Sequence, residues 1–167
     1  MKILVSGTWH LEEAKKYESF ANQVGKALAK RGHILVTGAG TGISELVVKN
    51  YRLNQGEKYI AILTSKKQRE AVGEKIGPLP DEAIDTGMDY PSRNVELVKF
   101  CDCIIALPGN LGTLTEVIHA VNDYGKKVAV LDTGPLAEMI QHIPSVREKV
   151  FLTDNVEEMF GFLEKND

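Results

Sequence analysis

Cysteine, long apolar runs and excess positive charge are all scarce in this sequence of 167 residues. The only cysteines, Cys101 and Cys103, lie at the entrance of an apolar segment, with no histidine or second cysteine pair nearby. We therefore expect buried thiols in a reducing compartment and no metal site. No stretch approaches the ~20 apolar residues that a membrane span needs, and the N-terminal apolar run is too short for a signal peptide. These absences predict a cytoplasmic protein without a membrane partner.

The charge balance also limits the partners. Twenty basic and 23 acidic residues leave a net charge of −3, which argues against nucleic acid as the main partner. A phosphate site would then have to be local, built from backbone amides and one or two basic side chains. A length of 167 residues predicts a single domain over 1–167.

Apolar, β-branched segments alternate with helical patterns along the whole chain. The predicted strands are Ile3–Ser6, His33–Thr37, Tyr59–Thr64, a weak Ala83–Asp85, Cys103–Leu107, Lys127–Asp132 and Val150–Leu152. The predicted helices cover 11–30, 43–54, 67–76, 91–100, 113–124, 135–142 and 155–164. Continuous apolar runs are typical of strands covered on both faces. The alternation therefore predicts an α/β fold of three layers, with a mainly parallel sheet and helices on either side. In such a sheet, ligands bind beyond the carboxyl ends of the strands.

The segment Pro108–Glu116, Pro-Gly-Asn-Leu-Gly-Thr-Leu-Thr-Glu, follows a predicted strand and opens a helix. Glycines let the backbone approach a ligand, and helix N-terminal amides attract anions. A phosphate at this turn would lie close to Glu116. The alternative is a capping box, in which Thr113 caps a helix that begins there and Glu116 reaches back to a backbone amide. The stripe formed by Leu114, Val117, Ile118 and Val121 is predicted to face the core, which leaves Glu116 on the opposite face.

A second glycine cluster, Gly38-Ala39-Gly40-Thr41-Gly42, follows the second predicted strand. Its G-x-G-x-G spacing differs from the G-x-G-x-x-G of dinucleotide sites. The next strand ends in Thr64-Ser65-Lys66-Lys67, without the acidic residue that holds a ribose. A redox dinucleotide is therefore not predicted. Two interpretations stay open: a plain tight turn, or phosphate and ribose contacts made by Gly38, Gly40, Thr41 and Gly42.

Arg93 follows Pro91 in the first turn of a predicted helix, where the helix dipole disfavours a cation. A bound phosphate or Glu116 would compensate that charge; alternatively, the guanidinium reaches solvent. Trp9 could stack on a base, although a lone tryptophan more often packs in a core.

Taken together, Arg93-Asn94, the Cys101-Asp102 helix end and Pro108–Glu116 resemble the Lonely Guy superfamily, also labelled lysine decarboxylase-like. Its best-known members are cytokinin riboside 5′-monophosphate phosphoribohydrolases, which carry an arginine ahead of a P-G-G-x-G-T-x-x-E motif. Asn110 stands here where that motif has its second glycine. The Arg-Asn form, with Gly87-Met88 upstream, is more similar to the branch that includes molybdenum cofactor carrier proteins.

This resemblance implies a Rossmann-like fold, a homodimer or higher homo-oligomer, and a bound nucleoside monophosphate or related phosphorylated small molecule. It also implies that Arg93 and Glu116 carry the chemistry and that Gly109, Gly112 and Thr113 hold phosphate. Pro108 and Asn110 are predicted to contact the phosphate or the nucleotide with them, and no cofactor is predicted. The first hypothesis is hydrolysis of the N-glycosidic bond of a purine nucleoside 5′-monophosphate. The second is a carrier or sensor of a phosphorylated ligand, such as molybdenum cofactor or a signalling nucleotide.

Overall fold

A parallel sheet of seven strands forms the centre of the protein. The computed structural model describes residues 1–165, so the last two residues of the predicted 1–167 domain lie outside the described residues. The strands are β1 Lys2–Ser6, β2 Ile34–Thr37, β3 Tyr59–Leu63, β4 Glu82–Asp85, β5 Cys103–Ala106, β6 Val128–Leu131 and β7 Phe151–Thr153. Their order across the sheet is β4-β3-β2-β1-β5-β6-β7. Each observed strand lies within about one residue of its predicted bounds. The predicted α/β, Rossmann-like fold is confirmed.

Helices cover both faces of the sheet. They are α1 Leu11–Ala14, α2 Glu18–Lys30, α3 Ile43–Leu53, α4 Lys66–Val72, α5 Tyr90–Phe100, α6 Leu111–Ile118, α7 Pro135–Gln141, α8 Pro144–Arg147 and α9 Val156–Leu163. The single helix predicted over 11–30 is wrong, because a 3-10 turn at Lys15–Tyr17 separates α1 from α2 and Tyr17 leaves the helical region at φ −115°, ψ 12°. The short α8 was not predicted, since four residues are too few for a helical pattern. Within residues 1–165, no helix is both long and apolar enough to cross a bilayer.

The start of α6 also differs from the prediction. The helix begins at Leu111, not at Thr113, because the preceding residue Asn110 is extended at φ −107°, ψ −154°. The first helical hydrogen bond runs from Leu114 N to Asn110 O at 3.0 Å. Thr113 is therefore inside the first turn, and the Thr113 capping box is excluded. The remainder of the predicted helix 113–124 continues from α6 as a π-helical segment, His119–Asp123.

The core has one apolar layer on each face of the sheet. Neighbouring residues of β1 belong to opposite layers: Ile3 and Val5 pack on one face and Leu4 on the other. The first layer includes α2, α3 and α9, and the second includes α5, α6 and α7. Cys101 and Cys103 are both buried and free, as predicted.

The topology places a cleft beside β1. The chain extends from β1 to the β4 edge and then returns to place β5 on the other side of β1, so the order reverses there. The two strands stay together beyond the sheet, since Leu107 N donates to Ser6 O at 2.8 Å and Thr8 N donates to Pro108 O at 2.9 Å. Open α/β sheets bind ligands at this kind of reversal.

Candidate functional site

A cleft of about 380 Å³ lies at the carboxyl ends of the central strands. Its walls include eight of the predicted site residues: Gly38, Gly40, Thr41, Arg93, Asn110, Gly112, Thr113 and Glu116. Three further predicted residues do not line it, namely Gly42, Pro108 and Gly109. Pro108 and Gly109 instead line a smaller hollow of about 140 Å³, together with Asn110. The tertiary fold thus brings both glycine turns, Arg93 and Glu116 to one place.

Glu116 lies in the floor of the cleft and is only 6% exposed. The Ser6 hydroxyl donates to its Oε2. The Asn94 amide, oriented to donate, lies 3.2 Å from its Oε1. Burial raises the pKa of the Glu116 carboxyl, while the Ser6 hydrogen bond and the charge of Arg93 oppose this rise. The site therefore holds a buried carboxyl group that is oriented by two side chains.

Arg93 is the buried cation of the cleft. It lies in the first turn of α5, after a cap in which Ser92 N donates to Asp89 Oδ1 at 2.9 Å. Only 7% of Arg93 is exposed, so the alternative that its guanidinium reaches solvent is wrong. Nη1 donates to Ile62 O at 3.3 Å, and Nε has no partner among residues 1–165.

Desolvation lowers the pKa of Arg93, although the charges of Glu116 and Glu74 work against this shift. Its guanidinium carbon also lies 5.6 Å from the centre of the Tyr90 ring. A buried cation with an unpaired donor is costly unless another group completes its hydrogen bonds. An anion in the cleft would supply that group.

The glycines of the two turns differ in what surrounds them. A side chain at Gly38 would overlap Nη1 of Arg93, one at Gly42 would overlap Thr8 O, and one at Gly109 would overlap Thr113 Oγ1. Packing therefore explains Gly42 and Gly109, whereas a side chain at Gly38 would have to displace the Arg93 guanidinium. By contrast, a Cβ at Gly40 would find its nearest neighbour, Glu74 Oε1, at 3.4 Å.

Gly112 has still more space. Among the described residues, no atom outside its chain neighbours and the adjoining backbone of its own helix lies within 4 Å of its Cβ position. The amides of Leu111, Gly112 and Thr113 precede the first hydrogen bond of α6. The Asn110 side chain makes no cap to them. Space and amide donors therefore meet at this end of the cleft, as an anion site requires.

The lining residues that were not predicted as site residues include Ser6, Glu74, Tyr90 and Asn94. Ser6 ends β1, and its strand-end position was the available signal. Glu74 falls in the predicted helix 67–76, which the structure ends at Val72, and Tyr90 immediately precedes the predicted helix 91–100. Trp9 is 57% exposed at the rim, and its ring centre lies 4.1 Å from that of His10 with the two planes tilted by 32°, so the core alternative for Trp9 is wrong. Within residues 1–165, no three acidic, histidine or cysteine side chains form a group that could hold a metal ion.

Comparison with known proteins gives consistent matches. The SLOG cluster4 family matches residues 1–160. An uncharacterized protein from Archaeoglobus fulgidus is 31% identical over 150 residues, which cover 90% of this chain and 92% of that protein. A cytokinin riboside 5′-monophosphate phosphoribohydrolase from Oryza sativa subsp. japonica is 35% identical over 108 residues, which cover 63% of this chain and 42% of the rice protein. The chain thus spans less than half the length of this rice relative.

This chain also superposes on solved structures. A Moco carrier protein from Chlamydomonas reinhardtii superposes with a TM-score of 0.78 at 25% identity, over 96% of this chain and 93% of that chain. The predicted resemblance to the Lonely Guy superfamily and to molybdenum cofactor carrier proteins is confirmed by these matches.

Proposed function

This chain belongs to the SLOG cluster4 family, and from that premise we propose that it hydrolyses the N-glycosidic bond of a purine nucleoside 5′-monophosphate. The observation that carries the proposal is the presence of two buried side chains of opposite charge, Glu116 and Arg93, in the wall of one cleft. The rice relative's name describes hydrolysis of a riboside 5′-monophosphate. Glu116 and Arg93 are the residues that the family resemblance assigns to that chemistry.

Glu116 is suited to the bond-breaking step. When the bond between C1′ and the base nitrogen breaks, the electron pair leaves with the base and positive charge develops on the ribose. A carboxylate next to C1′ stabilises that charge. Water then attacks C1′ and transfers a proton to Glu116, and Glu116 passes this proton on to the departing base. One water is consumed, and ribose 5-phosphate and the free base are formed.

Arg93 and the first amides of α6 would hold the phosphate. Nε of Arg93 is a buried donor without a partner among residues 1–165. The open space at Gly112 lets a phosphate oxygen approach the helix end, where the dipole favours negative charge. Gly40 and Thr41 line the same cleft and are placed to contact the sugar. The phosphate and the sugar would thus be bound by different elements.

The second candidate is a non-catalytic carrier of a phosphorylated ligand. The superposition on a Moco carrier protein favours it, as does Asn110, which replaces a glycine of the hydrolase motif. A protonated Glu116 would also serve a carrier, because a neutral carboxyl donates a hydrogen bond to an anionic ligand without repelling it. Both candidates use the same cleft and differ in whether Glu116 acts as a carboxylate.

A product assay separates the two. Purified protein is incubated with AMP and other nucleoside monophosphates, and the free base and ribose 5-phosphate are quantified by chromatography. Hydrolysis predicts equal amounts of the two products and their loss in Glu116→Gln. Glu70→Gln is a matched control, since Glu70 is exposed on α4 and outside the cleft. Tight binding of AMP without release of base would favour the carrier, and no binding of any monophosphate would contradict both candidates.

The proposal also covers the oligomeric state and the cellular location of the protein. We propose a cytoplasmic protein that forms a homodimer or higher homo-oligomer. Analytical ultracentrifugation at micromolar concentration measures the oligomeric state directly, and a monomer at every concentration would contradict it. Fractionation of the source cells tests the location.

A further inference from the structure

Glu74 brings a third charged side chain into the cleft, and the proposed chemistry of Arg93 and Glu116 does not use it. Its Oε2 accepts a hydrogen bond from the Tyr90 hydroxyl at 2.7 Å. Its Oε1 lies 3.4 Å from the position that a Cβ on Gly40 would take. One oxygen of the carboxylate is therefore held by Tyr90, and the other lies next to the glycine turn after β2.

The backbone around Glu74 is also held in place. Gly73 ends α4 in the left-handed region at φ 66°, and Glu74 N donates to Arg69 O at 3.0 Å. Further along, Gly77 N donates to Ala39 O at 2.9 Å, which ties this segment to the glycine turn. The position of Glu74 in the cleft is thus set by main-chain hydrogen bonds on both sides of it.

A carboxylate beside a glycine turn has a known use in related sheets. In dinucleotide-binding folds, an acidic residue at the end of the strand after the turn accepts a hydrogen bond from a ribose hydroxyl. That strand, β3, is followed here by Thr64-Ser65-Lys66-Lys67, with no acid. Glu74 reaches the turn from the segment after α4 instead. The carboxylate that the sequence lacks at the strand end is supplied by the tertiary fold.

We propose that Glu74 accepts hydrogen bonds from the ribose 2′- and 3′-hydroxyls of the bound nucleotide, so that the site selects ribonucleotides over 2′-deoxyribonucleotides. This inference rests on the proposed nucleotide-binding function. A carboxylate can only accept, and it repels a phosphate, whereas ribose hydroxyls are neutral donors. Arg93 and the α6 amides are left to hold the phosphate.

Tyr90 is the positioning residue in this arrangement. Burial and the neighbouring Glu74 raise the pKa of Tyr90 to about 12, so the phenol keeps its proton and donates to Glu74 at neutral pH. Without that hydroxyl, the carboxylate would lose its fixed orientation. The removal of Tyr90 OH should therefore weaken recognition of the ribose and leave the phosphate contacts unchanged.

The test compares AMP, 2′-deoxy-AMP and IMP on the wild type, Glu74→Gln, Tyr90→Phe and the control Glu70→Gln. Dissociation constants come from calorimetry, and kcat/KM is added where the base is released. We expect the wild type and Glu70→Gln to prefer AMP over 2′-deoxy-AMP by about tenfold or more, the effect of one charge-assisted hydrogen bond. Glu74→Gln should lose most of this preference, because AMP loses the carboxylate as partner of two hydroxyls and 2′-deoxy-AMP as partner of the 3′-hydroxyl alone. Tyr90→Phe should lose part of it, and it tests the inference independently of the Glu74 variant.

The outcomes distinguish this inference from the proposed function. If nucleotides bind and the preference for AMP over 2′-deoxy-AMP is the same in wild type, Glu74→Gln and Tyr90→Phe, the role of Glu74 is overturned and nucleotide binding stands. If Glu74→Gln keeps the preference for AMP over 2′-deoxy-AMP but no longer distinguishes AMP from IMP, Glu74 contacts the base. That result would overturn the ribose contact. Binding of none of the three nucleotides by the wild type would overturn the proposed function and this inference with it.

Discussion

The Arg93 guanidinium occupies the space next to Gly38 in the cleft, so that a Cβ on Gly38 would overlap Nη1 of Arg93. Arg93 is 7% exposed and donates to Ile62 O, so its guanidinium has little room to move except into the cleft. The glycine after β2 is thus explained by a side chain from α5, more than 50 residues later.

Gly38→Ala should destabilise the protein by about 1–3 kcal/mol, the usual cost of overpacking a buried site, and weaken binding of AMP by displacing Arg93. In an Arg93→Met background, the same substitution should cost much less, because the competing guanidinium is absent. Urea unfolding of the four proteins of this cycle measures the coupling. Additive effects would show that Gly38 and Arg93 do not compete for space.

Gly112→Ala should separate stability from binding. Alanine is favoured over glycine in a helix by about 1 kcal/mol, and the Cβ position at Gly112 is open. We expect unchanged or higher thermal stability with weaker binding of AMP, since the methyl group occupies the space of the phosphate. Gly161→Ala in α9, whose Cβ position is also open, is the matched control and should change stability alone. Equal AMP affinity in both variants would place the phosphate elsewhere.

The pH dependence of the site should follow the raised pKa of Glu116. In the hydrolase, the carboxylate is the active form, so kcat/KM should fall as the pH decreases through a value above the ordinary 4.5 of a glutamate. In the carrier, the affinity for a phosphorylated ligand should instead rise over the same interval, because the protonated carboxyl no longer repels it. Profiles of kcat/KM and of the dissociation constant, measured between about pH 4 and pH 8, decide between the hydrolase and the carrier.

Glu116 should also affect stability with a defined sign. Since its pKa is raised in the folded state, the folded protein binds more protons than the unfolded chain between the ordinary and the raised value. The free energy of unfolding therefore decreases as the pH rises through that window, with a slope of at most about 1.4 kcal/mol per pH unit. Relative to wild type, Glu116→Gln should gain stability with rising pH, as measured by urea unfolding across the window. A difference independent of pH would contradict the raised pKa.

Both thiols should be inert in the folded protein. Burial raises the pKa of Cys101 to about 11 and that of Cys103 to about 12, and the thiolate is the reactive form. Labelling with Ellman's reagent at about pH 8, which is below both pKa values, should be negligible without denaturant and complete in guanidinium chloride. Rapid reaction of either thiol in the native protein would show that this part of the core opens.

The sequence alone determined the order of the elements and the fold class. Each strand was predicted within about one residue, because apolar β-branched runs such as Ile3–Ser6 need cover on both faces wherever they occur in the chain. Helix boundaries were less accurate. The start of α6 depends on the extended backbone of Asn110, and the residue type alone does not specify that conformation.

Arg93 could likewise be singled out from its conflict with the helix dipole, and Glu116 from the glycine turn that precedes it; both line one cleft. The tertiary structure alone decided what surrounds them. Gly38 accommodates Arg93, Ser6 and Asn94 hold Glu116, and Glu74 reaches the glycine turn after β2. These relationships join side chains from distant segments. They exist only because the parallel sheet brings the carboxyl ends of its central strands together. No local pattern in the chain specifies which side chains then come into contact.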